Sequence, residues 1–269
     1  MTRPTRDQTP RDQAPPGGGA GGGAHPRAAS PEDVAANLAA IRERIDAAAG
    51  RAGRDPGGVR LLPVSKTVDP DRIRWAYDAG VRLVGENKAQ EARDKAELFA
   101  SLPGMRWAMI GHLQTNKVRY VAGSAAELHS LDRADLAEAL ERRLQREGGG
   151  IDVFVQVNTS GEASKYGLDP DDAPAFVCSL AAYDTLRVRG LMTLAVNSID
   201  PAPVRRCFTL LRDLRDRIRQ EVADPESFAE LSMGMSGDYE LAVEEGATTV
   251  RVGQAVFGPR PRPDSYYWP

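Results

Sequence analysis

Short apolar segments alternate along this chain with helix-length stretches of mixed polarity. Eight apolar segments occur, at residues 59–64, 81–84, 105–110, 127–131, 153–157, 186–192, 230–233 and 248–252. The stretches between them include residues 71–79, 134–146 and 203–221. Alternation of this kind predicts an α/β fold with a parallel sheet, because parallel strands need a crossover connection. Eight such units favour a single (β/α)8 TIM-type barrel.

An open, doubly wound sheet fits the same alternation, so the pattern alone leaves two α/β architectures open. No Gly-x-Gly-x-x-Gly sequence follows the first apolar segment. Its absence argues against the dinucleotide-binding form of the open sheet.

The N-terminal part of the chain divides into a tail and a helix. Residues 1–29 hold six glycines and five prolines and almost no large apolar side chains. Because they bury too little surface to fold, they are predicted to form a disordered tail. Ser30 and Pro31 then start a helix, with the serine as N-cap. We therefore assign residues 30–269 to the barrel domain and its N-terminal helix.

Composition and charge exclude several classes of protein. Lys and Arg together number 35 against 38 Asp and Glu, a net charge of −3. This balance argues against a nucleic-acid partner, since such proteins usually carry a basic face. No apolar run approaches the roughly 18 residues of a membrane helix. The two cysteines, Cys178 and Cys207, lack metal-ligand spacing, so we expect a cytoplasmic protein with no metal site and no membrane partner.

Lys66 is the most informative candidate for chemistry. It follows directly on the first apolar segment, in the sequence Leu-Leu-Pro-Val-Ser-Lys. A lysine at the end of a buried strand is poorly solvated, which disfavours its charged ammonium form. A neutral amine is a nucleophile and forms Schiff bases with aldehydes.

A phosphate site is predicted after the last two apolar segments. Small residues follow the seventh segment, and Ser236 and Asp238 precede a short helix. The sequence Arg251-Val-Gly-Gln repeats this arrangement after the eighth segment. Phosphate sites of barrels commonly lie at these positions. An aldehyde that carries a phosphate, such as pyridoxal 5′-phosphate, would satisfy both features. A sugar-phosphate aldolase would need the same pair, so that alternative stays open.

Several longer motifs identify a family. They are VSKT at 64–67, GEN at 85–87, IGHLQTNK at 110–117, HSLD at 129–132, SKYG at 164–167, LSMGMSGDYELA at 231–242 and VRVGQAVFG at 250–258. With these motifs the chain resembles the pyridoxal phosphate homeostasis proteins, whose fold is similar to the N-terminal barrel of alanine racemase. The resemblance spans residues 34–260, almost the whole predicted barrel.

The resemblance implies a set of cofactor-binding residues. Lys66 would hold pyridoxal 5′-phosphate as a Schiff base. Ser236 and the backbone amides of Gly253 and Gln254 would bind its phosphate. Arg251 would face the pyridine nitrogen. The residues that would line the cofactor are Asn87 and Met192.

The resemblance also implies a function with little or no catalysis. A monomer in the cytoplasm would hold the cofactor for intracellular homeostasis and pass it transiently to apo enzymes. Arg251 supports this expectation, because a guanidinium cannot accept a proton and leaves the pyridine nitrogen unprotonated. The second domain of alanine racemases, which supplies an opposing tyrosine, is not expected here. A racemase-like enzyme acting on amino acids remains the alternative.

Three positions depart from the usual motifs of the family. Gln254 stands where a threonine is usual, Lys88 where an aromatic residue is usual, and Val68 where many members have a basic residue. Transfer of the cofactor through a second lysine at position 68 is therefore not expected. Lys165, in the SKYG motif, remains a candidate for that role.

Overall fold

The computed structural model describes residues 27–259. Eight parallel strands form its sheet: β1 Arg60–Pro63, β2 Leu83–Glu86, β3 Arg106–Met109, β4 Glu127–Leu131, β5 Ile151–Gln156, β6 Leu186–Met192, β7 Glu230–Ser232 and β8 Thr249–Val252. The helices are α1 Pro31–Arg51, α2 Pro70–Asp78, α3 Ala89–Leu98, α4 Val118–Val121, α5 Ala134–Glu147, α6 Ala173–Ser179, α7 Pro201–Ile218, α8 Tyr239–Glu244 and α9 Gln254–Phe257.

The sheet closes into a barrel, which confirms the (β/α)8 architecture over the open sheet. The strand order is β1-β8-β7-β6-β5-β4-β3-β2. Strands β1 and β2 meet beyond the end of β1, where Val64 forms a parallel bridge with Gly85. The Ser65 N–H donates to the Gly85 carbonyl at 2.9 Å. The backbone just before Lys66 therefore completes the ring of strands.

The N-terminal helix begins as the sequence predicts. The Ser30 hydroxyl accepts a hydrogen bond from the Asp33 N–H at 3.2 Å, and the Asp33 carboxylate accepts from the Ser30 N–H at 3.1 Å. This reciprocal pair is a capping box, which satisfies two N–H groups at the helix start. Of the predicted tail, residues 1–26 lie outside the described residues, and Ala28 is buried.

The second strand starts two residues later than the apolar pattern predicts. Val81 opens the predicted segment, but its N–H donates to the Ala76 carbonyl at the end of α2. The strand instead runs on through Gly85 and Glu86, which pair with β3. Glu86 is fully buried although it is polar, so a pattern based on hydrophobicity does not include it in the strand.

The barrel interior is polar where it lies against β4, β7 and β8. Arg60 of β1 pairs with Glu127 of β4 at 2.6 Å, and His129 of β4 contacts Ser232 of β7 at 2.8 Å. Neither pair of strands is adjacent in the sheet, so both contacts cross the interior. Leu62, Leu83 and Ala108 form a small hydrophobic cluster separate from the main one.

The outer layer packs helices against the strands through one large hydrophobic cluster. Helix α1 buries the predicted positions Val34, Leu38, Ile41 and Ile45. Across residues 27–259, no helix combines the length and the apolar character that crossing a bilayer requires.

Candidate functional site

Lys66 lies in a tight turn after β1 and is only 7% exposed. The next residue, Thr67, has φ +62°, a left-handed conformation that few residues other than glycine adopt. The Thr67 N–H donates to the Glu91 carboxylate of α3 at 3.0 Å. This contact holds the strained backbone directly beside the lysine.

A buried ion network fixes the other side of the turn. The Lys95 ammonium of α3 donates to the Ser65 carbonyl at 2.7 Å, to Glu86 at 2.5 Å and to Glu91 at 2.8 Å. The Ser65 hydroxyl also donates to Glu86. Backbone groups of Ser65 and Thr67, on either side of Lys66, are thus both tied to one cluster of charges.

Glu86 is the group of this network whose charge burial disfavours. Burial raises the pKa of its carboxyl, and the charge of Lys95 opposes that shift. One carboxylate oxygen, Oε1, accepts from Ser65 and Lys95. The other, Oε2, is buried without a hydrogen-bond partner. The lysine charge therefore favours the ionised form of Glu86, against the effect of burial.

Arg251 of β8 occupies a second buried position at the same end of the barrel and is 3% exposed. Its Nη1 donates to the Ser232 hydroxyl and its Nη2 to the Thr193 carbonyl, each at 2.8 Å. Burial lowers the pKa of Arg251 to about 10, and the nearby Asp238 opposes that shift. The guanidinium therefore remains charged at neutral pH.

The loop after β7 packs against the start of β8 and α9. The Arg251 N–H donates to the Gly234 carbonyl at 2.9 Å. Gly234 has φ +95°, and a Cβ there would lie 2.6 Å from the Cβ of Ala242, so the loop requires glycine. The Ser236 hydroxyl accepts from the Ala255 N–H in the first turn of α9 at 3.4 Å.

The turn between β8 and α9 packs against the backbone that precedes Lys66. A Cβ on Gly253 would lie 3.1 Å from the Val64 carbonyl oxygen. The residue that opens α9 therefore packs closely against the backbone just before the lysine turn. The first N–H groups of a helix have no acceptors within it, so such a turn offers donors to an anion.

All seven predicted cofactor residues lie at or just beyond the C-terminal ends of strands. Met192 is the last residue of β6 and is fully buried, and Asn87 follows β2 and is half-buried. Ser236, Gly253 and Gln254 are also half-buried. The Asn87 carbonyl packs against Gly111 of the next loop, where a Cβ would lie 2.2 Å away.

Sequence reasoning missed the side chains that support these residues. Glu127 and His129 alternate on β4, and two polar residues spaced by two in a buried strand indicate a polar interior face. The polar interior face of β4 could therefore have been predicted from the sequence. Lys95 and Glu91 are one helical turn apart on α3, as in an ordinary surface ion pair, so their burial could not be read from the sequence.

Lys165 links the loop after β5 to the loop after β6. Its ammonium donates to the Ala195 carbonyl at 2.8 Å and pairs with Glu162 at 2.5 Å. In the part of the chain that the structure describes, no group of three or more His, Cys, Asp or Glu residues could hold a metal ion.

Comparison with known proteins first defines the class. A profile described as "Alanine racemase, N-terminal domain" matches residues 36–261. The chain is thus a barrel of the alanine-racemase type. The pyridoxal phosphate homeostasis protein of Aquifex aeolicus is 42% identical over 225 residues, which cover 83% of this chain and 96% of that protein. The protein of the same name from Escherichia coli K12 is 39% identical, over 85% of this chain and 97% of its own length.

A solved structure matches over the same region. PipY of Synechococcus elongatus, determined with PLP bound, is 36% identical with a TM-score of 0.74 and covers 84% of this chain and all of its own. This chain belongs to the pyridoxal phosphate homeostasis protein family, as its motifs predict. The roles of its individual site residues stay predictions.

Replacing Lys95 by Met is expected to lower the free energy of unfolding by about 3–5 kcal/mol at pH 7, because Glu86 would remain buried without its counter-charge. The loss should shrink as the pH falls. Removal of the lysine raises the pKa of Glu86 further, and a protonated carboxyl no longer carries a buried charge. Urea unfolding at pH 7 and at pH 5 measures both effects.

Lys88→Met is the matched control, since Lys88 is exposed at the start of α3 and makes no side-chain capping bond. Adding Glu86→Gln to Lys95→Met should recover part of the lost stability. Equal stability of the Lys95 and Lys88 variants would contradict the assignment of a buried ion network.

Proposed function

We propose that this chain binds pyridoxal 5′-phosphate at the C-terminal end of its barrel and acts in the intracellular homeostasis of that cofactor. The observation that carries the proposal is the close packing of Gly253, in the β8–α9 turn, against Val64, two residues before the buried Lys66. The buried, charged Arg251 lies two residues before Gly253 in the same strand end. The residues fit the group, because the cofactor has an aldehyde, a phosphate and a ring nitrogen. An amine can bind the aldehyde, N–H and O–H donors can bind the phosphate, and a further donor can face the ring nitrogen.

Each residue has a defined part in the proposed site. Lys66 holds the cofactor as a Schiff base, the covalent link that an amine forms with an aldehyde. Ser236 and the amides of Gly253 and Gln254 bind the phosphate. The amide contacts do not depend on side-chain type, so the glutamine at position 254 is compatible with them. The ring is lined by Asn87 and Met192.

Arg251 favours a holder of the cofactor over a fast catalyst. When bound, the cofactor supplies an electron-withdrawing ring, and that capacity is greatest when the ring nitrogen is protonated. A guanidinium only donates hydrogen bonds, and Arg251 stays charged at neutral pH. Arg251 therefore keeps the nitrogen unprotonated and limits carbanion chemistry.

The relatives support the functional part of the proposal. Proteins from Aquifex aeolicus, Escherichia coli and Homo sapiens that are 38–42% identical to this chain are named pyridoxal phosphate homeostasis proteins. We further propose that the protein is a cytoplasmic monomer that passes the cofactor transiently to apo enzymes and turns over little or no substrate.

Borohydride reduction of the protein loaded with pyridoxal 5′-phosphate is expected to fix the cofactor on Lys66. Peptide mass mapping should find the adduct on the peptide that contains residues 64–67. Lys66→Ala should abolish both the adduct on that peptide and the absorbance band of the Schiff base, while Lys165→Ala should retain them. An adduct found mainly on Lys117 or Lys165 would remove Lys66 from its role.

Ser236→Ala is expected to weaken binding of pyridoxal 5′-phosphate by about 1–2 kcal/mol, the range for one hydrogen bond to a charged group. Gly253→Val should weaken it more, since the added side chain would enter the turn that must approach the phosphate. Binding of pyridoxal, which lacks the phosphate, should not change in the Ser236 variant. Ser179→Ala, at the end of α6, is the control; unchanged affinity in both site variants would put the phosphate elsewhere.

Exchange of the α-proton of L- and D-alanine in deuterated water, followed by NMR, tests for racemase activity. The loaded protein is expected to exchange slowly, because a positioned general base contributes roughly 10² to 10⁴ in rate and Arg251 cannot serve as one. Exchange at about 1 s⁻¹ or faster, within the usual enzyme range, would favour the enzyme. Transfer of the cofactor to an apo enzyme shows that the same sample is functional.

A further inference from the structure

A chain of hydrogen-bonded side chains crosses the barrel interior and ends at Arg251. The Arg60 guanidinium, on β1, pairs with Glu127 at 2.6 Å. The other oxygen of Glu127 lies 2.8 Å from His129 Nε2, and His129 Nδ1 lies 2.8 Å from the Ser232 hydroxyl. That hydroxyl is 2.8 Å from Nη1 of Arg251. Four strands thus contribute to one continuous path.

With a neutral imidazole at His129, the hydrogen bonds in this path have one consistent direction. Arg251 has no acceptor, so the Ser232 oxygen accepts its N–H. The serine hydrogen is then donated to His129 Nδ1, and the imidazole carries its own hydrogen on Nε2, which donates to Glu127. This arrangement requires a neutral imidazole. Burial lowers the pKa of His129, despite the opposing hydrogen bond with Glu127, which agrees with that protonation state.

The path leaves Arg251 little freedom. Both Nη atoms of the guanidinium are bound, one to Ser232 and one to the Thr193 carbonyl. His129 and Ser232 are fully buried, and the His129 ring packs against Phe154 with centroids 4.2 Å apart. A long arginine side chain otherwise has many rotamers. Two acceptors determine the plane of its guanidinium. The Thr193 acceptor is a backbone carbonyl, whereas the Ser232 acceptor is a side-chain hydroxyl.

We propose that Ser232 is a positioning residue for Arg251 and that His129 orients the Ser232 hydroxyl, so that β4 and β7 set the orientation of the guanidinium toward the cofactor ring. The inference rests on the proposed function, in which Arg251 faces the ring nitrogen. It adds two side chains to the cofactor site that lie beneath the arginine, inside the barrel. A purely structural role for the same polar path is the competing explanation.

The affinity ratio between pyridoxal 5′-phosphate and its 1-deaza analogue separates the two explanations. The analogue has a carbon in place of the ring nitrogen, so it retains the aldehyde and the phosphate but cannot accept from Arg251. Wild-type protein is expected to prefer the natural cofactor. Ser232→Cys should reduce that preference by about fivefold to tenfold, since a thiol sulfur is a much weaker acceptor than a hydroxyl oxygen. Its affinity for the analogue should stay close to that of wild type.

Ser130→Cys is the matched control. Ser130 is equally buried, neighbours His129 on β4, and donates its hydroxyl to the Gly111 carbonyl at 2.6 Å. It does not touch Arg251, so its variant should keep the wild-type ratio even if its stability falls. A purely structural role predicts the same ratio in Ser232→Cys as in wild type, and that result would overturn the proposal.

Variants of His129 give a second, independent readout. The amide oxygen that His129→Asn introduces can accept the serine hydrogen in place of Nδ1, so this variant should keep most of the preference. His129→Leu offers no acceptor and should lose the preference as Ser232→Cys does. If the leucine variant does not fold, the Ser232→Cys ratio decides. Wild-type protein that binds both ligands equally would instead refute the proposed role of Arg251 itself.

Discussion

Val64 and Ser65 close the barrel, because β1 reaches β2 only beyond its own C-terminal end. In most of the sheet, neighbouring strands pair along their length, but here the last connection is made by the two residues that precede Lys66. Gly253 packs against the same backbone from the β8 side. Ring closure and site assembly therefore depend on one short segment. A shift of that segment would move the lysine and open the sheet together.

Two buried networks of charged side chains support the candidate site, and they differ in how completely their carboxylates are hydrogen-bonded. The Lys95 cluster lies beneath the lysine turn and includes one carboxylate oxygen with no partner. In the path from Arg60 to Arg251, both oxygens of the Glu127 carboxylate have hydrogen-bond partners, Arg60 and His129. Although burial raises the pKa of Glu127, hydrogen bonds from His129 and Arg60 bring it down to about 2. Buried ion pairs of this kind contribute little net stability, but removal of one partner is costly. They fix geometry more than they add stability.

The architecture could be predicted from the sequence, but most of the side chains that support the candidate site could not. Each of the eight apolar segments overlaps a strand, because burial on both faces of a parallel strand leaves a clear hydrophobic run. The candidate residues fall at one end because parallel strands all end there. The contact of His129 with Ser232 joins residues 103 apart in sequence, and no local pattern records such a pairing. The positive φ of Thr67 was equally hidden, since threonine gives no signal for a left-handed conformation.

The same barrel supports either holding a reactive aldehyde or using it, and the difference lies in what faces the ring. A buried lysine alone would suit both, since Schiff-base formation begins each. In the proposed site, a cationic donor at the ring nitrogen would favour the first, because it would leave the nitrogen unprotonated and the ring would then stabilise a carbanion less well. Arg251 is locked in place by neutral acceptors, a serine hydroxyl and a backbone carbonyl, and its charge survives burial. Among the residues that the structure describes, no carboxylate forms an ion pair with the guanidinium, although the charge of the nearby Asp238 helps to keep it protonated.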